Sequence, residues 1–206
     1  MRRIVTIGVY GFTAGAFVEK LTGAGVGLLL DLRQRRGVRG PDYSWVNSAR
    51  LQRALAAADI GYRHVKDLAP TNEMRRLQYR EDDRQGVGKR NRVALAPEYA
   101  ERYTREILDP FDLGALVAEL ASYPATALLC VESDPEACHR SLVAARVHAQ
   151  HGLPVADLRP GLRDESLALA EAPPAVAAMS PMTRSGRPAS RTKLIRDIRT
   201  ASSCDS

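Results

Sequence analysis

Three nearly uninterrupted apolar runs, Ile4 to Val9, Val26 to Leu32 and Ala125 to Val131, narrow the possible folds of this chain more than any other feature. A strand with one wet face alternates apolar and polar residues, whereas a strand apolar at almost every position has both faces covered, as in parallel sheets. Amphipathic segments stand between the runs. Thr13 suits the N-cap of a short helix with Phe17 and Leu21 one turn apart, ending near Gly23 or Gly25. Asn47 can cap a second helix with Leu51, Leu55 and Ala58 on one face. Gly61 to Val65 reads as a further strand and Val155 to Leu158 as a short last one. Pro97 opens a helix to about Leu108, and another runs from about Leu113 to Ala121. The longest is expected from Pro135 to about Gln150, closed by His151-Gly152. Thr71 to Arg92 is polar and holds Gly86-Val87-Gly88, which predicts a long loop or broken helix over the sheet edge. The pattern predicts an α/β fold: a single doubly wound, mostly parallel sheet of about five strands with helices on both faces.

Residues 1 to 160 are expected to form this domain. Beyond Pro160 the composition shifts to Ala, Pro, Ser and Arg, so residues 161 to 206 are expected to be a mostly disordered tail, with weak helical patterns at Leu162 to Ala170 and Arg191 to Arg199. The net charge is +6, from 30 basic and 24 acidic side chains, and the tail holds 7 of the former and 5 of the latter. The bias is mild, but local clusters are sharper: Arg33, Arg35, Arg36 and Arg39 follow one strand, and Arg75, Arg76, Arg80, Arg84, Lys89, Arg90 and Arg92 crowd a later connection. Solvated surface charge explains either cluster equally well. No apolar run reaches the roughly 18 residues that a membrane helix needs. The amino terminus enters a strand without a signal-like apolar core, so a cytoplasmic location and no membrane partner are expected. Three cysteines, Cys130, Cys138 and Cys204, do not make a disulfide framework.

Chemistry concentrates in Cys130-Val-Glu132-Ser-Asp134-Pro-Glu-Ala-Cys138-His139-Arg140, read as a strand end, a tight turn and a helix start. Asp134 before Pro135 suits an N-cap and first helical residue, which would point free N–H groups and the positive dipole end at the turn, favouring an anion and lowering a nearby thiol's pKa. In a parallel sheet the carboxyl ends of the second and fourth strands share one edge, so Asp31 and Arg33 can meet Cys130 and Glu132 there. Arg33 and Arg140 are candidate anion ligands, with His64, Arg36 and Arg39 as further ones. Asp31, Glu132, Cys138 and His139 are candidates for proton transfer or nucleophilic attack. Plainer readings stand beside these: Cys138 and Cys130 as core residues, an Asp31 to Arg140 ion pair bracing the sheet edge, and a surface His64. Cys130 stands where rhodaneses and cysteine phosphatases keep their nucleophile, although Ser133 to Glu136 lacks the composition of their loops. The cysteine spacing fits no standard zinc module, and consecutive helical residues such as Cys138 and His139 point about 100° apart, so no metal is expected. Tyr43 and Trp45, interleaved with Arg36, Arg39 and Arg50, can stack nucleobases or anchor the loop to the core.

Thr6-Ile7-Gly8, Asp31-Leu32-Arg33, Gly61-Tyr62-Arg63-His64, Cys130-Val131-Glu132 and Cys138-His139-Arg140 together resemble the bacterial DUF488 family, over residues 1 to about 160. Members look like single α/β domains without an established activity, so the resemblance implies a fold and a site but no reaction. Many members carry Pro and Ser after the Asp-x-Arg motif and Leu-Gly-Gly after the third strand. Gln34-Arg35-Arg36-Gly37 and Leu68-Ala69-Pro70 stand in those places here.

The first functional expectation is an enzyme binding a phosphate-bearing substrate, a small nucleotide or a nucleic acid, at the carboxyl edge of the sheet. A noncatalytic nucleotide or nucleic-acid module and a thiol redox or sulfur-transfer protein are the alternatives. Neither a cofactor nor an oligomeric state can be read from the residues.

Overall fold

A computed structural model describes residues 2–38, 40–88 and 91–161. The predicted tail beyond residue 161 lies outside them, as do Arg39, Lys89 and Arg90. The described chain folds as β1 (Arg3–Ile7), α1 (Ala14–Gly23), β2 (Val26–Asp31), α2 (Ser48–Ala56), β3 (Gly61–His64), α3 (Asn72–Gln85), α4 (Pro97–Tyr103), α5 (Leu113–Glu119), β4 (Ala125–Leu129), α6 (His139–His151) and β5 (Val155–Leu158). All five strands are parallel, in the order β3-β2-β4-β1-β5.

Alternation along the strands explains why both faces are dry. Val5, Ile7, Leu29, Ala127 and Leu129 pack on one side against Phe17 and Leu21 of α1 and Leu51 and Leu55 of α2. Ile4, Leu28, Leu30 and Leu128 pack on the other against Met74 of α3, Tyr99 and Tyr103 of α4, Leu116 of α5, and Val143 and Val147 of α6. The sheet is doubly wound, and its apolar runs face helices on each side. Thr13 caps α1 as expected, its hydroxyl accepting from Ala16 N at 3.3 Å. Asn47 stands at the N-cap position of α2, yet its side-chain oxygen accepts from Val38 N at 2.7 Å and ties down the arginine-rich loop instead.

Two elements differ from the sequence reading. Asn72–Gln85 is a regular helix: Oγ1 of the N-cap Thr71 accepts from Met74 N at 3.2 Å, and Gly86 closes the other end at φ 65°. Its buried stripe is Met74, Leu77, Gln78 and Asp82, half of it polar, so hydrophobic periodicity does not reveal it. The last long helix also starts later than expected. Pro135–Ala137 form a 3₁₀ turn, Cys138 is extended (φ −142°, ψ 141°), and α6 begins at His139.

Candidate functional site

After β2 the chain turns toward β3 at one edge, and after β4 it crosses toward β5 at the other. Neighbouring parallel strands whose connections diverge leave a crevice beyond their carboxyl ends. A cavity of about 280 Å³ opens there. Arg33, Gln34 and Arg35 reach it from the segment after β2, Cys130 and Glu132 from the end of β4, and Cys138 and His139 from the start of α6. Arg75 and Tyr79 of α3, Arg92, and Tyr99 of α4 form the opposite wall.

The extended Cys138 shapes the floor. Because it breaks the helical register just before His139, its sulfur and the imidazole face the same point. Nδ1 of His139 is 3.8 Å from Cys138 Sγ and 3.8 Å from Cys130 Sγ. The three donor atoms all lie within 4.8 Å of one another. On the far side of the ring Nε2 is 3.2 Å from the Leu32 carbonyl. A carbonyl only accepts, so Nε2 carries a hydrogen; burial opposes charging the ring, but Cys138 outweighs it and raises the His139 pKa, and when the ring is neutral Nδ1 turns its lone pair toward both sulfurs. Burial pushes the Cys138 thiol up, but the hydrogen bond with Cys130, helped by His139 and Arg140, outweighs it and holds Cys138 well below the usual thiol range. The same sulfur–sulfur hydrogen bond, with burial, holds Cys130 well above it. Cys130 also donates to Glu132 Oε2 at 3.4 Å.

Other candidates from the sequence are spent on bracing. Asp31 is fully buried: Oδ1 accepts from Arg33 N (3.1 Å) and Nε (2.8 Å), and Oδ2 from Arg33 Nη2 (2.7 Å) and Tyr62 OH (2.8 Å). This carboxylate, enclosed by its own bonds, is not among the residues that line the cavity. The guanidinium of Arg33 also donates to Val46 O. The ion pair considered between Asp31 and Arg140 is therefore made by Arg33. Arg140, buried among β1, β4 and α6, donates to Thr6 Oγ1 (3.3 Å), Glu132 O (2.6 Å) and Ser133 O (2.8 Å). It straps the loop after β4 to β1 and does not line the cavity. His64 bonds the Arg33 carbonyl at 2.9 Å and Arg36 donates to Ser48 Oγ, both away from the cavity. Arg39 lies outside the described residues. Glu132, Cys138 and His139 are the proposed catalytic residues that the fold does gather at the cavity, with Cys130 beside them.

Several wall residues carry no individual signal in the sequence. Arg92 pairs with Asp82 of α3 and lies 3.8 Å from Glu132 Oε1, a buried chain of charge joining α3 to the end of β4. Gln78 extends it, donating to Asp82 Oδ1 and accepting from Ala96 N. Arg75 and Arg92 belong to the basic cluster visible in the sequence, but nothing there separates them from surface neighbours such as Arg84, paired with Glu81. Tyr99 and Tyr103, one turn apart on α4, stack 6.1 Å apart, and Tyr103 leans on His139 at 5.3 Å.

The model of the family described as a domain of unknown function, DUF488, matches residues 13–147, more than half of the chain. The chain belongs to the DUF488 family. The matched span runs from the cap of α1 through most of α6, so this DUF488 domain includes both halves of the crevice. No curated protein and no solved structure matches the chain.

Proposed function

We propose that this DUF488 domain is an enzyme that binds a phosphate-bearing substrate, a nucleotide or a nucleotide unit of a nucleic acid, in the cavity beyond β2 and β4. The charge of the cavity wall carries the reading. Arg33, Arg35, Arg75 and Arg92 line it, against Glu132 as the lining carboxylate. Asp31 offsets Arg33 and Asp82 offsets Arg92, while Arg35 and Arg75 meet no carboxylate among the described residues. Arg75 is instead poised by neutral partners, Gln34 Oε1 at 2.8 Å and Tyr79 OH at 3.0 Å. Guanidinium groups positioned in this way favour a phosphate, for which their fork of donors is suited.

The remaining lining supports the nucleotide part. Tyr10, Tyr79 and Tyr99 give the cavity aromatic surface, and base–aromatic stacking contributes about 1–3 kcal/mol per base. Its size is near the lower limit of about 300 Å³ for ligand pockets, which suits one nucleotide unit rather than a duplex. In this reading Arg35 and Arg75 hold the phosphate, Glu132 moves a proton, and the Cys130, Cys138 and His139 cluster stands at the reacting end.

Binding of nucleoside monophosphates and short single-stranded oligonucleotides, measured by calorimetry, tests the substrate class. Removing a charge-assisted hydrogen bond costs about 1.5–3 kcal/mol, so Arg75→Ala should weaken binding about 10- to 100-fold and the Arg35→Ala, Arg75→Ala double variant further. Unchanged affinity in the double variant contradicts the reading. The approach of the two sulfurs favours a second reading, thiol redox chemistry or sulfur transfer; in the redox case Cys130 and Cys138 close a disulfide as a substrate disulfide is reduced to two thiols.

A further inference from the structure

We infer that Cys130, Cys138 and His139 form a three-ligand site for a thiophilic divalent cation, with Zn²⁺ the best match. A zinc ion with sulfur ligands at about 2.3 Å and nitrogen at about 2.0 Å holds neighbouring S and N donors about 3.5 Å apart in a tetrahedron. The two S to N separations here are both 3.8 Å. The two sulfurs lie within 4.8 Å of each other, against about 3.8 Å for two such ligands, so an ion can sit among the three donors once the thiols close by up to about 1 Å. The 100° divergence expected of consecutive helical residues does not arise, because Cys138 is extended and only His139 is helical.

Three further observations point the same way. Nε2–H of His139 is bonded to the Leu32 carbonyl, an outer contact that fixes a metal-binding imidazole with its other nitrogen free to ligate. The ligands are buried, where an isolated charge is costly, and two thiolates with a divalent ion and a neutral imidazole sum to zero; the protons held by the thiols and the imidazole leave to solvent as the ion enters. Finally, Cys130, Cys138 and His139 all line the cavity, so the fourth tetrahedral position opens onto it and is available to water or a substrate oxygen. Three protein ligands plus one open position is the arrangement of catalytic rather than structural zinc. Only the substrate's use of that fourth position rests on the phosphate reading; the metal site itself stands on its own residues.

Cobalt(II) titration of the reduced full-length protein tests the site, in a Cys204→Ser background that leaves only these two thiols. The site predicts saturation at one equivalent, tetrahedral d–d bands, and thiolate-to-cobalt charge-transfer absorption that Zn²⁺ abolishes. Cys138→Ser should reduce the charge-transfer intensity to about half and weaken Zn²⁺ binding by more than the 10- to 100-fold typical of losing an outer-shell partner. Absence of thiolate-to-cobalt absorption in the reduced Cys204→Ser protein overturns the inference whatever the variants do, and so does a signal that Cys138→Ser leaves unchanged. The Arg35→Ala, Arg75→Ala variant should keep the cobalt spectrum while losing nucleotide binding, so failure of either assignment is seen separately.

Discussion

Gly8 shows how little room the crevice leaves for error. A Cβ there would lie 1.9 Å from the carbonyl oxygen of Glu132, the same oxygen that accepts Arg140 Nη1. Gly8→Ala must push the end of β1 away from the loop after β4, and the overpacking should destabilise the fold by about 1–3 kcal/mol in urea unfolding. The Asp31 and Arg33 pair is a second point of rigidity. Arg33→Met leaves a buried carboxylate without its cation, which should cost about 3–5 kcal/mol in the same measurement, far more than the loss of any exposed ion pair. At this scale the sequence shows which residues meet but not what each one does. Thr6-Ile7-Gly8, Asp31-Leu32-Arg33 and Cys138-His139-Arg140 do converge, as the fold requires, yet whether an arginine faces a ligand or a carbonyl depends on sub-ångström placement that residue type does not encode. Arg33 and Arg140 look like anion ligands in sequence and serve as internal braces in the structure.

Helix α3 is the element that turns the crevice from an open edge into a walled cavity, and a polar stripe docks it. The hydrogen bond from Arg92, together with that from Gln78, outweighs the cost of burial and holds Asp82 below its usual 3.8. A carboxylate whose pKa is depressed by folding stabilises the fold fully above its unfolded value and loses that contribution as pH falls through the lower folded one. Asp82→Asn should therefore be less stable than the wild type at neutral pH by about 3 kcal/mol, as for a broken buried pair. The gap should narrow as pH falls below 3.8 in urea unfolding across a pH series. Thr71→Ala should cost about 1 kcal/mol through loss of the cap on Met74 N. Strands and apolar-faced helices are legible because burial leaves a period in the sequence. The buried stripe of α3 includes glutamine and aspartate, so its period is hidden. The start of α6 is hidden differently: Asp134-Pro135 is a sound helix-opening signal, and it does open a turn, but the turn stops at Cys138 and the helix restarts one residue later. That one extended residue brings the two thiols and the imidazole together.

For the molecule as a whole, the doubly wound sheet follows from its apolar runs, and the position of the cavity follows from the strand order, since the connections after β2 and β4 diverge. The cavity's charge depends on α3 and on the segment around Arg92, whose packing the sequence leaves open. The net charge of +6 is a weak guide; Arg35 and Arg75 beside one crevice are a stronger one. Binding carried by these groups should weaken as salt rises, and the slope of log affinity against log salt should shrink when either is replaced. Among the described residues no helix is long and apolar enough to cross a membrane. The most direct test is a crystal soaked with a nucleoside monophosphate. The account predicts the phosphate within hydrogen-bond reach of Arg75 or Arg35 and the base against Tyr79 or Tyr99, beside the Cys130, Cys138 and His139 cluster. A cavity still without nucleotide at saturating ligand, or a nucleotide bound elsewhere on the surface, contradicts it.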